Sequence, residues 1–245
     1  MSGVALKIDG VVKSFGEKKV LDGVSFEVKK GEIFGFVGLN GIGKTTLIKI
    51  VINLLDCDLG NVEILGNSFV LPSSRKNIFY LPEKFQPSAY LKGIEFLKFN
   101  DGFYGNFKKD KKKFLSDVGA MAESLYLDKK ALNFRVSKYS KGMMQKLGLI
   151  SAFLSGADLI ILDEPMSGLD PSARIGLKKR LLEYKDKGKS IFFSSHVLSD
   201  IDEICDAIAV LNDGQIIFQG SCEDFKGQQG DDNLEKAFLK AIGII

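Results

Sequence analysis

The stretch 38–46, Gly-Leu-Asn-Gly-Ile-Gly-Lys-Thr-Thr, constrains the fold of this chain more than any other part of the sequence. It fits the pattern Gly-x-x-x-x-Gly-Lys-Thr, in which glycines let the backbone wrap closely around phosphates. The apolar run 33–37 before it predicts a buried strand, and the run 47–52 after it predicts a helix. The loop N–H groups and the helix N-terminus would then face an anion. The sequence therefore predicts a nucleoside-triphosphate site.

Side chains of this loop have separate tasks in such a site. Lys44 can reach the β- and γ-phosphates of a nucleotide, and the hydroxyl of Thr45 can ligate Mg²⁺. A nucleoside triphosphate and Mg²⁺ are therefore the predicted substrate and cofactor; the resemblance described below specifies ATP. The predicted nucleotide-binding residues of the loop are Gly38, Asn40, Gly41, Gly43, Lys44, Thr45 and Thr46.

Composition limits the remaining choices. A chain of 245 residues suits one large domain or two small ones. No apolar run approaches the length of about 18 residues that indicates a membrane span, and the N-terminus has no signal-peptide pattern. We therefore expect the chain itself to be cytoplasmic. The net charge of +3 is too mild to indicate a nucleic-acid partner.

The order of apolar patterns predicts an α/β fold. The first thirty residues alternate as strands do, with a turn at 16–19, and predict a small antiparallel layer. Further strands are predicted at 60–66, 78–81, 159–162, 190–194, 207–211 and 215–218. The continuous apolar run 159–162 is typical of a parallel sheet covered on both faces. Helices are predicted from Pro171 onward, at 197–204 and at 234–242.

The region 91–155 has helical spacing and few β-rich runs. Three sets of apolar residues predict three helices: Ile94, Leu97 and Phe103; Phe114, Leu115, Val118 and Met121; Met144, Leu147, Leu149 and Ile150. We interpret the chain as one domain, with an α/β core at 1–84 and 156–245 and an inserted helical subdomain at 85–155.

Two carboxylates, Asp163 and Glu164, close the apolar strand 159–162. The carboxyl end of a parallel strand lies at the crevice where such sheets bind ligands. Asp163 can hold Mg²⁺ through water, and Glu164 can polarise an attacking water as a general base. An acidic pair that merely starts a helix is the alternative, but the phosphate loop elsewhere in the chain favours catalysis.

His196 is the only histidine of the chain, and it directly follows the predicted strand 190–194 and Ser195. A lone histidine is usually incidental. Its place at the ligand edge of the sheet favours a contact with the γ-phosphate.

Together these residues resemble the nucleotide-binding subunit of an ATP-binding cassette (ABC) transporter over nearly the full length of the chain. The loop 38–46 resembles the Walker A motif, 159–164 the Walker B motif, and His196 the switch histidine. Ser167-Gly168-Leu169-Asp170 resembles the D-loop. The most specific element is Tyr139-Ser140-Lys141-Gly142-Met143, which resembles the signature Leu-Ser-Gly-Gly-Gln and lies just upstream of Walker B. The resemblance implies a RecA-like P-loop NTPase core with a mixed sheet.

The resemblance also implies a head-to-tail dimer, with a second copy or another cassette, that encloses two ATP molecules. Each nucleotide would lie between the Walker A loop of one subunit and Ser140 and Gly142 of the other, and Asp170 would link the two sites. Phe15 falls where the family places an aromatic residue that stacks on adenine. A core or hairpin phenylalanine is the alternative for Phe15.

Some residues depart from the family pattern. Glu83 occupies the position of the Q-loop glutamine, where a carboxylate still reaches Mg²⁺ and water. Lys141 and Met143 replace a glycine and the glutamine of the signature, and this form resembles that of export-type, two-component transporters.

The leading hypothesis is an ATPase subunit that powers a separate membrane-spanning permease from the inner face of the cell membrane. Residues 84–91 would form part of the groove that receives the permease, or pack only against their own helical subdomain. A soluble ABC ATPase of iron–sulfur cofactor assembly is the alternative. A catalytically silent cassette is disfavoured by the intact Lys44, Glu164 and His196.

Overall fold

The computed structural model describes residues 3–104 and 109–245 of the chain. Within this part, no helix is both long and apolar enough to cross a membrane. The strands are β1 (Val4–Phe15), β2 (Lys18–Lys29), β3 (Ile33–Val37), β4 (Leu59–Ile64), β5 (Asn67–Ser68), β6 (Ile78–Leu81), β7 (Leu159–Asp163), β8 (Ser190–Ser195), β9 (Ala207–Asn212) and β10 (Gln215–Gly220). The helices are α1 (Lys44–Val51), α2 (Gly93–Asp101), α3 (Lys111–Ser124), α4 (Lys141–Ser155), α5 (Pro171–Asp186), α6 (Leu198–Ile204), α7 (Cys222–Gln229) and α8 (Leu234–Ala241).

Four strands form an antiparallel sheet in the order β2-β1-β4-β5. Along β2, Val24, Phe26 and Val28 are buried while the residues between them are exposed, as expected of a sheet with one covered face. The predicted N-terminal antiparallel layer is confirmed. Its first turn is tighter than predicted, because Lys18 already pairs with Phe15 at the start of β2.

Six strands form a mixed sheet in the order β10-β9-β3-β8-β7-β6. All neighbours are parallel except β10 and β9, which form a hairpin. The predicted mixed sheet is therefore confirmed. In register, Val37 pairs with Ser195 and Asp163 with Ser194, so β3, β7 and β8 end at one edge of the sheet.

Both faces of the mixed sheet are covered, because successive side chains of its strands enter two different cores. Ile160 and Leu162 face a core that includes residues of α3, α4 and α5, whereas Leu159 and Ile161 face a core with α1 and the antiparallel sheet. Phe26 of the antiparallel sheet stacks on Phe34 of β3 with ring centroids 5.3 Å apart. This double burial explains why the central strands are continuous apolar runs.

The three predicted helices between β6 and β7 are present as α2, α3 and α4. The assignment of Phe103 and Leu115 to the apolar faces of these helices was wrong. α2 ends at Asp101, so Phe103 lies beyond it and is 76% exposed, and Leu115 on α3 is also exposed. The treatment of 85–155 as a separate subdomain stays a prediction.

The sequence pattern missed α7 entirely. Only Cys222 and Phe225 of this helix are buried, so it has almost no apolar periodicity. Its ends do carry local signals: Ser221 accepts a hydrogen bond from Asp224 N as the N-cap, and Gly230 ends the helix in the left-handed region.

Candidate functional site

The sequence-predicted residues of the Walker A, Walker B, Q-loop and histidine positions meet at the carboxyl-terminal edge of the mixed sheet. Each follows or ends a parallel strand, and such strand ends gather at the ligand edge of an α/β sheet. They surround a cleft with a volume of about 370 Å³. The lining residues are Asn40, Gly41, Gly43, Lys44, Thr45, Thr46, Glu83, Lys84, Asp163, Glu164 and His196.

The loop before α1 needs its glycine at position 43. Gly43 is the N-cap of α1 with φ +122°, a conformation that other residues rarely adopt. A Cβ there would also lie 3.1 Å from Val20 O. Gly38 does not line the cleft; a Cβ there would lie 2.9 Å from Leu211 O, so it lets the loop pass close to β9.

Lys44, the first residue of α1, is buried at the floor of the loop. Its Nζ donates hydrogen bonds to Gly38 O (2.7 Å) and Leu39 O (3.2 Å), and lies 3.5 Å from Glu164 Oε1. Burial lowers the pKa of Lys44, while the charge of Glu164 opposes that shift. Hydrogen bonds to an anionic phosphate are stronger than those to neutral carbonyls, so the ammonium group is suited to exchange these partners for a nucleotide.

Asp163 joins the loop to the neighbouring strands. Its Oδ2 accepts a hydrogen bond from Thr45 Oγ1 (2.8 Å), and its Oδ1 accepts one from Ser194 Oγ (2.6 Å). The same Ser194 hydroxyl accepts a hydrogen bond from Glu164 N (3.0 Å). Sequence analysis missed Ser194. The sequence does show a polar residue at this position, near the end of the apolar run of β8, and that pattern could have indicated a functional side chain.

Glu164 and His196 form the reactive end of the cleft. Glu164 is buried, with its backbone in the left-handed region at φ +49°, and its Oε2 lies 2.8 Å from His196 Nδ1. Among the residues that the structure describes, its buried Oε1 has no hydrogen-bond partner, and Lys44 Nζ lies 3.5 Å from it. Buried polar atoms are normally satisfied, and strained residues often occur at functional sites, so both features mark Glu164 as functional.

The residues fit a magnesium ion that is held largely by a substrate. Mg²⁺ usually keeps several waters and takes one or two carboxylates together with substrate phosphates. Thr45 Oγ1 and Asp163 Oδ2 offer such a hydroxyl and carboxylate side by side. Across residues 3–104 and 109–245, no group of three or more His, Cys, Asp or Glu residues forms a metal site of its own.

Ser140 and Gly142 do not line this cleft, and each has a partner in its own subunit. Ser140 is the N-cap of α4, and its Oγ accepts a hydrogen bond from Met143 N (3.2 Å). A Cβ on Gly142 would lie 2.7 Å from Gly168 O. The glycine is therefore required by the contact with Gly168, which sequence analysis did not foresee.

Asp170 also lies outside the cleft. Its Oδ1 caps α5 by accepting a hydrogen bond from Ala173 N (2.9 Å), and its Oδ2 accepts one from Lys146 Nζ (2.7 Å). The hydrogen bond from Lys146 is the main reason that the pKa of Asp170 is lowered. Sequence analysis did not single out Lys146.

Phe15 ends β1 beside the hairpin turn and is 51% exposed. It is therefore not a core residue, although it does lie at a hairpin. Lys13 Nζ lies 5.7 Å from the centre of its ring. Stacking of this ring on adenine stays a prediction.

A family model described as ABC transporter matches residues 21–167. An ABC transporter ATP-binding protein of Synechocystis sp. (strain ATCC 27184 / PCC 6803 / Kazusa) is 36% identical over 205 residues, covering 83% of this chain and 57% of that protein. The protein YcbN of Bacillus subtilis (strain 168), also an ABC transporter ATP-binding protein, is 38% identical over 91% of this chain and 71% of its own length. The solved structure of an ATP-binding subunit of an ABC transporter has a TM-score of 0.88 at 29% identity, covering 97% of this chain and 99% of that one.

Proposed function

The chain belongs to the ABC transporter family of ATP-binding proteins, and we propose that it hydrolyses ATP to power a separate membrane-spanning permease. ATP-binding domains of this family bind ATP and are generally ATPases. The observation that carries the proposal for this chain is the cleft itself. It brings a loop of the phosphate-binding type, a buried lysine, three carboxylates and a histidine together at one sheet edge.

The loop and the N-terminus of α1 bind the substrate. The N–H groups at the N-terminus of α1 and the Lys44 ammonium hold the β- and γ-phosphates. Thr45 and Asp163 would hold Mg²⁺, which would neutralise phosphate charge, and Glu83 lines the same cleft as a further carboxylate. Lys44 reaches the phosphates by leaving the carbonyls of Gly38 and Leu39.

Glu164 acts as the general base. Its Oε1, which has no hydrogen-bond partner among the described residues and lies 3.5 Å from Lys44 Nζ, accepts the proton of an attacking water, and His196 orients the carboxylate through Oε2. His196 is half exposed at the cleft, so its ring can also turn to hold the γ-phosphate once a nucleotide is bound.

The cleft is open to solvent, and we infer that a second cassette closes it. Ser140 and the N-terminus of α4 lie on the surface and would approach the nucleotide of the partner, with Asp170 between the two sites. This arrangement makes each active site depend on two subunits, which are two copies of this chain or this chain with another cassette.

The permease would dock beside Glu83, on residues 84–91. Phe85 packs edge-on against Phe96 of α2 with ring centroids 5.5 Å apart, whereas Tyr90 is 86% exposed. Tyr90 is thus free to contact a partner, as aromatic residues often do at interfaces. The protein would then lie on the inner face of the cell membrane. The matches give no support to the iron–sulfur alternative.

Replacing the general base tests this function. Glu164→Gln should lower ATP turnover by roughly 100-fold or more while ATP binding is retained, because the amide keeps the shape but accepts no proton. Glu63→Gln, at an exposed position of β4, should leave turnover unchanged. Turnover by Glu164→Gln equal to that of the unaltered protein would remove Glu164 from the mechanism.

A further inference from the structure

The first two turns of α4 are attached at three points to residues 165–170, the segment that follows Glu164. Gly142 packs against the carbonyl of Gly168. Gln145 Nε2 donates a buried hydrogen bond to Pro165 O (3.0 Å). Lys146 Nζ pairs with Asp170 Oδ2 (2.7 Å). Three contacts over six residues give this end of α4 one orientation relative to segment 165–170.

Lys146 provides the charged attachment, and its ammonium group has two acceptors. Its side chain is only 8% exposed, and its Nζ also donates to Tyr126 O (3.0 Å), after the end of α3. A buried ammonium group is costly unless it is paired and hydrogen-bonded, so Lys146 strongly favours the arrangement that supplies both acceptors. It therefore connects three parts of the chain: the end of α3, the signature helix α4 and the start of α5.

Asp170 does not need Lys146 for its own solvation. Its side chain is 53% exposed, and its other oxygen already caps α5. The ion pair is therefore needed mainly to satisfy the buried ammonium group of Lys146. Lys146 lies on α4, the helix whose N-cap is Ser140. Lys146 and Ser140 are six residues apart, which is about 9 Å along α4. A change in the tilt of α4 at Lys146 therefore moves Ser140.

We propose that Lys146 is a positioning residue for the nucleotide site of the partner subunit, acting through Asp170 to set the orientation of Ser140. The proposal rests on the composite dimer site described above. It assigns to Lys146 an effect in the other subunit's active site, whereas a lysine that only stabilises its own fold acts equally on both sites.

The chain offers a closely matched control. Lys189 donates to a carbonyl, Gly156 O (2.8 Å), and to a half-exposed carboxylate, Asp158 Oδ1 (2.7 Å). Asp158 lies just before β7, at the edge of the sheet opposite the cleft. Lys189→Met therefore removes the same kind of ion pair away from the site, while Lys146→Arg keeps the charge at the proposed position.

The test uses mixed dimers of two differently tagged full-length copies, each dimer with Lys44→Ala in one copy only. The single working loop then faces Ser140 of the copy that carries Lys44→Ala. Lys146→Met is placed either in that copy or in the copy with the working loop, so both dimers contain the same two substitutions. Turnover is compared with that of dimers carrying Lys44→Ala alone.

We expect turnover to fall roughly 10- to 100-fold when Lys146→Met shares a copy with Lys44→Ala, because misplacement by about 1 Å has effects of this size. In the other arrangement it should stay within about twofold of the reference. Lys146→Arg should restore most of the loss, and Lys189→Met should cause none in either arrangement. Equal losses in both arrangements, or no loss in either, would overturn the proposal. Absence of ATP turnover in the unaltered protein would instead contradict the proposed function.

Discussion

Single residues at the cleft combine burial with uncommon geometry. Glu164 has a left-handed backbone, and the hydrogen bond from its N–H to Ser194 Oγ holds it there. Ser194 in turn donates to Asp163, so one buried hydroxyl holds both the carboxylate of Asp163 and the backbone of Glu164. Because this hydroxyl has both its roles filled, the positions of Asp163 and Glu164 are set before any nucleotide arrives.

Tyr80, on β6, gives the protein a measurable pH dependence of stability. Burial, and secondarily the charge of Asp163, raise the pKa of Tyr80 to about 12. The neutral phenol is favoured in the folded state, so its stabilisation is complete below pH 10 and is lost as the pH rises from about 10 to about 12. Tyr80→Phe should remove roughly 1–2 kcal/mol of this alkaline loss, measured by urea unfolding across that range.

Tyr90→Phe is the control, because it removes the hydroxyl group of a tyrosine that is exposed to solvent. A Tyr80→Phe profile that falls with pH in parallel with the unaltered protein would contradict the assignment.

At the scale of elements, α4 has two roles at its N-terminus that can be separated. Ser140 caps the helix and is also proposed to meet the nucleotide of the partner. Ser140→Asp should keep the cap and the stability, because aspartate is an equally good N-cap. It should abolish ATP-dependent dimer formation, because a carboxylate would face the triphosphate. Ser140→Ala should cost about 1 kcal/mol in stability.

Thermal unfolding reports the first role, and light scattering with ATP reports the second. If Ser140→Asp dimerised with ATP as well as the unaltered protein does, Ser140 would not face the phosphates.

The packing of α4 on segment 165–170 also predicts the effect of a single methyl group. Gly142→Ala should lower the free energy of unfolding by roughly 1–3 kcal/mol, because its Cβ would lie 2.7 Å from Gly168 O, a backbone atom. Gly119→Ala is the matched control within α3, where the nearest atom is the end of the Lys129 side chain at 3.9 Å. It should be neutral or stabilising by up to about 1 kcal/mol. Equal urea midpoints for the two variants would contradict the close packing.

Elements were predictable from sequence where their apolar pattern was strong. The central strands and α4 were predicted because both faces of the sheet and most of α4 are buried. α7 was missed because it buries only two side chains, and the end of α2 was misplaced because Phe103 is apolar yet exposed. Hydrophobic patterns indicate burial, and these elements are marked instead by caps and turns.

At the scale of the whole molecule, the motifs predicted which residues meet, and the topology explains how. β3, β6, β7 and β8 are adjacent and parallel, so residues from four separate parts of the chain reach one edge. The sequence could not predict that Asp170 pairs with Lys146 or that Gly142 contacts Gly168. Those contacts depend on how α4 packs on segment 165–170, and short motifs carry no information about such packing.

We propose that each cleft is completed by a second cassette. The mass of Glu164→Gln in solution, measured by light scattering with and without ATP and Mg²⁺, tests this proposal for two copies of the chain. We predict one chain per particle without nucleotide and two chains with ATP. When Lys44→Ala is added to Glu164→Gln, ATP should leave the mass at that of one chain. Glu164→Gln that binds ATP yet keeps the mass of one chain at all protein concentrations would contradict a composite site formed by two copies of this chain.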